Sequence, residues 1–281
     1  ITDLPLVQKL VQGKDTIYHV AAQCSHVDSM IDPWLDVDYN CRGALSILEA
    51  AKQQTKKPVI VYAGTRAALG APLEIPVHEQ SLPNPTDIYG VNKLAAELYG
   101  AVYARVHKIP FVTLRLTNSY GARHQMKSGK YGILNWFISL ALQGKTIKVF
   151  GTGEQLRDYL YIDDAIDAFV KASEFASKMG EGKATSKKAQ ISGKGIPFAV
   201  FNIASGRGLK FVDVARNVAG RGLGNLEMVP WPADRAAIET GDYIADISEA
   251  SAALGWNPKV SFEDGLDRTF GYYRDHLAKY L

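Results

Sequence analysis

Between Thr16 and Leu116, three short runs rich in β-branched and aromatic residues alternate with two helix-length periodic segments, and this alternation narrows the possible folds more than anything else in the chain. Thr16-Ile17-Tyr18-His19-Val20-Ala21-Ala22, Val59-Ile60-Val61-Tyr62 and Phe111-Val112-Thr113-Leu114-Arg115-Leu116 read as short buried strands. The stretches between them read as helices. One runs from about Pro33 to Gln53 with Leu45, Leu48 and Ala51 on one side, the other from about Asp87 to His107 with Leu94, Leu98 and Val102 at core spacing. This order predicts a parallel sheet with helices on both faces. Ligands of such sheets sit beyond the carboxyl ends of the strands. Ala21-Ala22, Thr65 and Asn118 each follow a strand, so they are expected on one rim.

Tyr89 and Lys93 lie four apart and share one face of the second helix, where a hydroxyl from Thr65 can meet them. An unperturbed phenol, with a pKa of about 10, is a poor base at neutral pH, and a neighbouring ammonium favours the phenolate. Alone, a tyrosine and a lysine at this spacing are too common to identify a site. The rest of the chain decides.

Thr2-Asp3-Leu4-Pro5 reads as a capped helix start, with an apolar stripe of Leu6, Leu10 and Val11 ending at Gly13. After Tyr120-Gly121 the spacing predicts a helix near Ile133 to Gln143, a strand at Ile147 to Phe150, the turn Gly151-Thr152-Gly153 and a helix near Asp163 to Ser173. A strand at Phe201 to Ile203 and a helix near Phe211 to Ala219 follow, and there are no internal repeats.

Bulk properties exclude several classes of function. With 281 residues, 47% hydrophobic and 22% charged, the chain suits a soluble globular protein with an ample core. No apolar run approaches the roughly 18 residues of a membrane span, and no signal peptide precedes Ile1. Cys24 and Cys41 lack metal-ligand spacing and are expected as buried free thiols in a reducing, cytoplasmic setting. His19 has no second ligand at useful spacing, so no metal is expected, and it reads as a packed strand histidine. The net charge of +3 comes from one segment: residues 176–197 hold five lysines (178, 183, 187, 188 and 194) against Glu181, which leaves −1 for the remainder. No aromatics are interleaved there, so the segment reads as a solvated basic insertion and not as a nucleic-acid surface.

An ordered set of motifs resembles the extended short-chain dehydrogenase/reductase family, and within it the NAD-dependent nucleotide-sugar epimerases of UDP-glucose 4-epimerase type. It comprises His19-Val-Ala21-Ala22, Asn40, Thr65 with Gly70, Tyr89-Gly-Val-Asn-Lys93, Leu114-Arg-Leu-Thr-Asn118-Ser-Tyr-Gly121, Val149-Phe-Gly-Thr-Gly153, Arg157-Asp-Tyr159, Asp163-Asp164 and Gly255-Trp256-Asn-Pro258. The resemblance implies an α/β fold: a Rossmann-like doubly wound parallel sheet, N-terminally truncated, with a smaller C-terminal α/β substrate domain. On this reading residues 1–118 and 146–204 bind NAD, and 119–145 and 205–281 bind the nucleotide sugar.

The resemblance also implies roles. Tyr89 would be the acid/base at the sugar 4-hydroxyl, Lys93 would hold the nicotinamide ribose and lower the tyrosine pKa, and Thr65 would bond the sugar oxygen and the phenol. Ala21, Ala22 and Asn40 would line the cofactor. Asn118, Arg157 and Arg235 would contact the diphosphate, since guanidinium groups suit phosphate. Tyr243 would gate the sugar 2-substituent and favour plain hexoses. Without the resemblance, Asn40 reads equally as a helix-surface amide, Arg157 as a surface partner of Asp158 or Asp163, and Trp136 and Phe137 as core. The substrate implied is a UDP-hexose and the assembly a homodimer through helices near 34–53 and 88–107.

Departures refine this. The acidic residue that follows the Thr65-like position in the family's 4,6-dehydratases is replaced by Arg66-Ala67-Ala68, which disfavours a dehydratase, and Leu69 stands where a tyrosine is usual. No G-x-G-x-x-G precedes a helix, so about 60 residues of an ordinary member are expected to be missing, and the opening at Ile1 favours a longer polypeptide. A 4-keto-sugar reductase, or a non-catalytic nucleotide-sugar-binding protein, are the alternatives.

Overall fold

The computed structural model describes residues 1–185 and 195–281. Helix α1 (Leu4–Val11) starts where Asp3 accepts from the Leu6 N–H, with Pro5 in its first turn. Its buried face is Val7 and Val11, whereas Leu6 and Leu10, expected inside, are exposed. Strand β1 (Thr16–His19) follows, then α2 (His26–Ile31), capped by Ser25. The single helix expected over 33–53 is three pieces: α3 (Pro33–Asp36), a π-helical turn (Val37–Arg42) and α4 (Gly43–Lys52). Next come β2 (Val59–Thr65), a 3₁₀ turn (Arg66–Ala68), α5 (Ile88–His107), β3 (Phe111–Leu116) and β4 (Asn118–Tyr120).

The later chain forms α6 (Ile133–Leu142), β5 (Ile147–Phe150), β6 (Leu156–Arg157), β7 (Tyr159–Tyr161), α7 (Ile162–Gly180) and β8 (Phe198–Ile203). It ends with β9 (Leu209–Lys210), α8 (Phe211–Arg221), β10 (Leu226–Val229), α9 (Ala233–Ala236), α10 (Ser248–Leu254) and α11 (Phe262–His276). Helix α7 continues to Gly180, into the expected basic insertion. Lys178 is in its last turn and Lys183 pairs with Glu181 at 2.8 Å, while Lys187, Lys188 and Lys194 lie outside the described residues.

The main sheet has the order β1-β2-β3-β8, parallel throughout, with Ile60 opposite Phe111 and Phe111 opposite Phe198. Side chains alternate across it with the period of two that a strand imposes. Val59, Val61, Val112 and Leu114 pack with Ala168, Ala172, Phe175 and Trp256 on one face. Ile60, Tyr62 and Phe111 pack with Val7, Leu48, Ala96 and Ala104 on the other. Both faces are therefore covered, which makes this a mixed α/β fold with a parallel sheet of Rossmann type.

Strand β5 pairs with β10, not with the main sheet, and belongs to a third core that contains Phe137, Val218 and Phe270, with Trp136 packed against it. The sequence grouping of 146–204 with the first layer is corrected at that strand. Helix α5 is corrected too. Its small residues Ala96, Ala101 and Ala104 face the core, while Leu98 and Val102 join Val91 and Val106 on an exposed apolar stripe. Small side chains let the helix approach closely, so the larger ones turn outward.

Candidate active site

The turn after β2 and the first turn of α5 are pressed together by two glycines. A Cβ on Gly90 would stand 2.5 Å from the Ala67 carbonyl oxygen, and one on Gly70, whose φ is +60°, would stand 1.9 Å from that of Asn84. Thr65 caps the turn by accepting from the Ala67 N–H at 3.2 Å. Asp87 caps α5 by accepting from the Gly90 N–H at 2.7 Å, and the Tyr89 N–H donates to Ser29 Oγ at 3.1 Å. These contacts fix Tyr89 beside Thr65 with its side chain almost wholly buried.

Burial pushes the Tyr89 phenol well above its ordinary pKa, and the Thr65 hydroxyl beside it opposes the rise. Lys93 is buried as well, and burial pulls its ammonium down to about 7. It donates to the Ala63 carbonyl at 2.7 Å and lies over the Tyr62 ring, 4.2 Å from its centroid. The lowering of Tyr89 expected from Lys93 does not prevail here: burial is the largest influence on the phenol, and the group that opposes it is the Thr65 hydroxyl. His26 contributes without sequence warning. Its Nδ1 lies 2.5 Å from Asp87 Oδ2, and its ring meets Tyr89 edge-on at 4.9 Å.

A cleft of about 380 Å³ opens beyond the carboxyl ends of the strands, and Thr65, Arg66, Tyr89, Asn118, Arg157 and Arg235 all line it. Asn118 donates through Nδ2 to the Asp158 carbonyl at 2.9 Å. Arg157 pairs through Nη2 with Glu239, not with Asp158 or Asp163, and donates through Nη1 to the Gly241 carbonyl. Asp158 is instead enclosed by N–H groups of Ser205 and Gly206, and burial raises it to about 6. At one end the cleft carries Phe150 against Trp231, ring centroids 5.4 Å apart.

Four expected residues sit outside this cleft. Tyr243 is fully buried and is not part of the cleft wall, because the Arg66 guanidinium covers its ring at 5.2 Å. Asn40 is buried and spends its amide on the Gln23 carbonyl at 3.0 Å and Asp36 Oδ1 at 2.9 Å, so it braces the loop after β1 from below. Ala22 lines an adjoining depression with Gln23, Cys24 and Tyr39, while Ala21 is exposed. Cys41 is buried as expected, but Cys24 is exposed on that rim, and both are free thiols. His19 is packed in the sheet against Tyr62, with ring centroids 5.1 Å apart.

The phenol of Tyr89 opens into the cleft beside Thr65, while the Lys93 ammonium lies behind it on β2, at the Ala63 carbonyl. Residues 1–186 match the family model described as the NAD dependent epimerase/dehydratase family. The chain belongs to that family. It is accordingly an enzyme of the extended short-chain dehydrogenase/reductase type.

Relatives agree on this. The UDP-glucose 4-epimerase of Mycolicibacterium smegmatis is 28% identical over 276 residues, which cover 98% of this chain and 81% of that one. The crystal structure of UDP-glucose 4-epimerase with UDP-glucose from Thermotoga maritima superposes with a TM-score of 0.81 at 27% identity, covering 98% of this chain and 83% of that one. UDP-glucuronic acid 4-epimerase from Bacillus cereus, solved with UDP-glucuronic acid and NAD, gives 0.77 at 28%, covering 96% and 78%. Among the described residues, no group of three or more His, Cys, Asp or Glu is placed to hold a metal ion, and no helix is long and apolar enough to cross a membrane.

Proposed function

We propose that this protein catalyses NAD-dependent 4-epimerisation of a UDP-linked hexose of the glucose/galactose framework through a 4-keto intermediate. The observation that carries the reading is the cleft itself, which joins a proton-handling end, Thr65 with Tyr89, to a cationic end, Arg157 with Arg235. NAD, when bound, supplies the hydride acceptor and donor. The chain's own part is position and proton transfer. Tyr89 exchanges a proton with the sugar 4-oxygen, Thr65 orients that oxygen, and Lys93 favours the phenolate whenever it is charged while holding the nicotinamide ribose. Asn118, Arg157 and Arg235 take the diphosphate, and the Phe150–Trp231 end offers apolar surface to the base. Ala21 and Ala22 border the cofactor from the end of β1.

The absence of a carboxylate at Arg66-Ala67-Ala68 favours epimerisation over 4,6-dehydration, which needs a second acid/base. Among the described residues an apolar surface of Trp34 and Leu35 on α3 with Leu98 and Val102 on α5 supports a homodimer. We assign residues 1–118 and 146–204, strand β5 apart, to the NAD-binding part, and 119–145 with 205–281 to the sugar-nucleotide part. The cytoplasmic reading rests on the two unpaired cysteines.

The test is incubation with NAD and either UDP-galactose or UDP-galacturonate, reading the C4 configuration by NMR. Inversion without net release of reduced cofactor, lost at least about 100-fold in Tyr89→Phe, is the expected result. Net consumption of reduced cofactor would mark a reductase instead, and no inversion of either sugar removes the proposal.

A further inference from the structure

Arg66 is the one arginine of the cleft that, among the described residues, forms no ion pair. Arg157 has Glu239 and Arg235 has Asp234, at 3.9 Å, whereas Arg66 donates through Nη1 to a neutral partner, Thr240 Oγ1, at 3.1 Å. The guanidinium is nonetheless held firmly. Its backbone is fixed by the Thr65-capped turn, and its plane rests on the Tyr243 ring. A charge taken from water without a counter-charge is costly unless a ligand supplies one. Burial presses its pKa down and the like charge of Arg157 adds to this, while the Glu239 carboxylate, already paired with Arg157, opposes both from a distance.

Its place in the cleft indicates which anion. Arg66 follows Thr65 directly, and Thr65 stands with Tyr89 at the end where the 4-oxygen is handled. The diphosphate is provided for by Arg157 and Arg235. A cation next to Thr65 reaches substituents on the ring carbons neighbouring C4, and the C5 branch is the one whose hydroxymethyl becomes a carboxylate on oxidation. The planar guanidinium fork matches a carboxylate in two parallel hydrogen bonds, an arrangement a hydroxymethyl cannot satisfy.

Resting on the UDP-hexose reading above, we infer that Arg66 is a specificity-determining residue for an acidic sugar, a UDP-hexuronate whose C6 carboxylate it binds. The Tyr243 ring then serves as the platform for that arginine and not as a gate at the 2-position. A reaction that oxidises C6 of a UDP-hexose must supply such a substrate.

Calorimetric titration of the NAD-loaded protein with UDP, UDP-glucose and UDP-glucuronate tests this without turnover. The expected result is a preference for UDP-glucuronate over UDP-glucose of about 10-fold or more, as charge-assisted pairing predicts. Arg66→Gln should erase that preference while changing UDP affinity less than about twofold, and Arg66→Lys should restore only part of it. Equal affinity of the wild type for the two sugars, with UDP still binding, overturns the inference and leaves the epimerase reading intact. An equal loss for UDP and both sugars in Arg66→Gln also overturns it, because the arginine would then serve the diphosphate. Failure of UDP itself to bind removes the underlying reading and this inference together.

Discussion

The Lys93 ammonium stands 4.2 Å from the centroid of the Tyr62 ring while donating to the Ala63 carbonyl at 2.7 Å. Both partners favour the charged form, yet burial prevails and brings its pKa from 10.5 to about 7. Between pH 7 and 10.5 the folded protein therefore binds fewer protons here than the unfolded chain. The stability contribution of this residue rises with pH across that window and is lowest below it. Thermal melts of wild type and Lys93→Met from pH 6 to 9 should show the wild type gaining on the variant above pH 7. A difference that stays constant with pH would contradict the shift.

Arg157 is occupied by Glu239, an internal carboxylate in the place where a diphosphate is proposed to bind. Removing that charge should free the guanidinium. Glu239→Gln is expected to raise the affinity for inorganic pyrophosphate several-fold, and Arg157→Ala to lower it by about 10-fold or more. Competition against a fluorescent nucleotide reads both, and weaker pyrophosphate binding by Glu239→Gln would show that the pair does not compete.

Glu97 and Arg115 form a doubly hydrogen-bonded ion pair, at 2.6 and 3.1 Å, with both side chains almost completely excluded from solvent. Replacing one member leaves the other buried and uncompensated, at a cost of about 3–5 kcal/mol. Glu97→Gln should lower the urea midpoint accordingly. A change under about 1 kcal/mol would mean that water or the Glu79 carbonyl, which accepts from Arg115 Nη1 at 2.9 Å, takes over the charge.

Leu98 and Val102 lie one turn apart on the exposed face of α5. A charge there would be buried in a dimer and solvated in a monomer. Val102→Glu is expected to halve the mass measured by light scattering at micromolar concentration without lowering the monomer's helix content. A wild type that is already monomeric would refute the assembly.

Much of the fold was legible because it depends on local period and local caps. The alternation from Thr16 to Leu116 and the capping aspartates Asp3 and Asp87 are written in neighbouring residues, and they place the carboxyl-end rim where Thr65, Tyr89 and Asn118 converge. Other features depend on partners far off in the chain. Arg66 stood out as a departure, but its setting is made by Thr240, 174 residues away, and by Tyr243. His26 joins Tyr89 only because Asp87, 61 residues on, faces it. Helix α2 has six residues, too few to show a helical period. Leu98 and Val102 show why an apolar stripe alone does not say which body covers it.

One buried carboxylate carries a last consequence. Asp36 accepts from Gln23 Nε2 at 2.7 Å, Asn40 Nδ2 at 2.9 Å and Asn92 Nδ2 at 2.8 Å. It thereby ties the loop leaving β1 and the π-helical turn to α5, one residue before Lys93. Three donors on one acceptor make these segments a single lever. On the proposed reading, a dinucleotide that displaced the Gln23 loop would pull on the helix that carries Tyr89, so that seating the cofactor and aligning the proposed acid/base would be coupled.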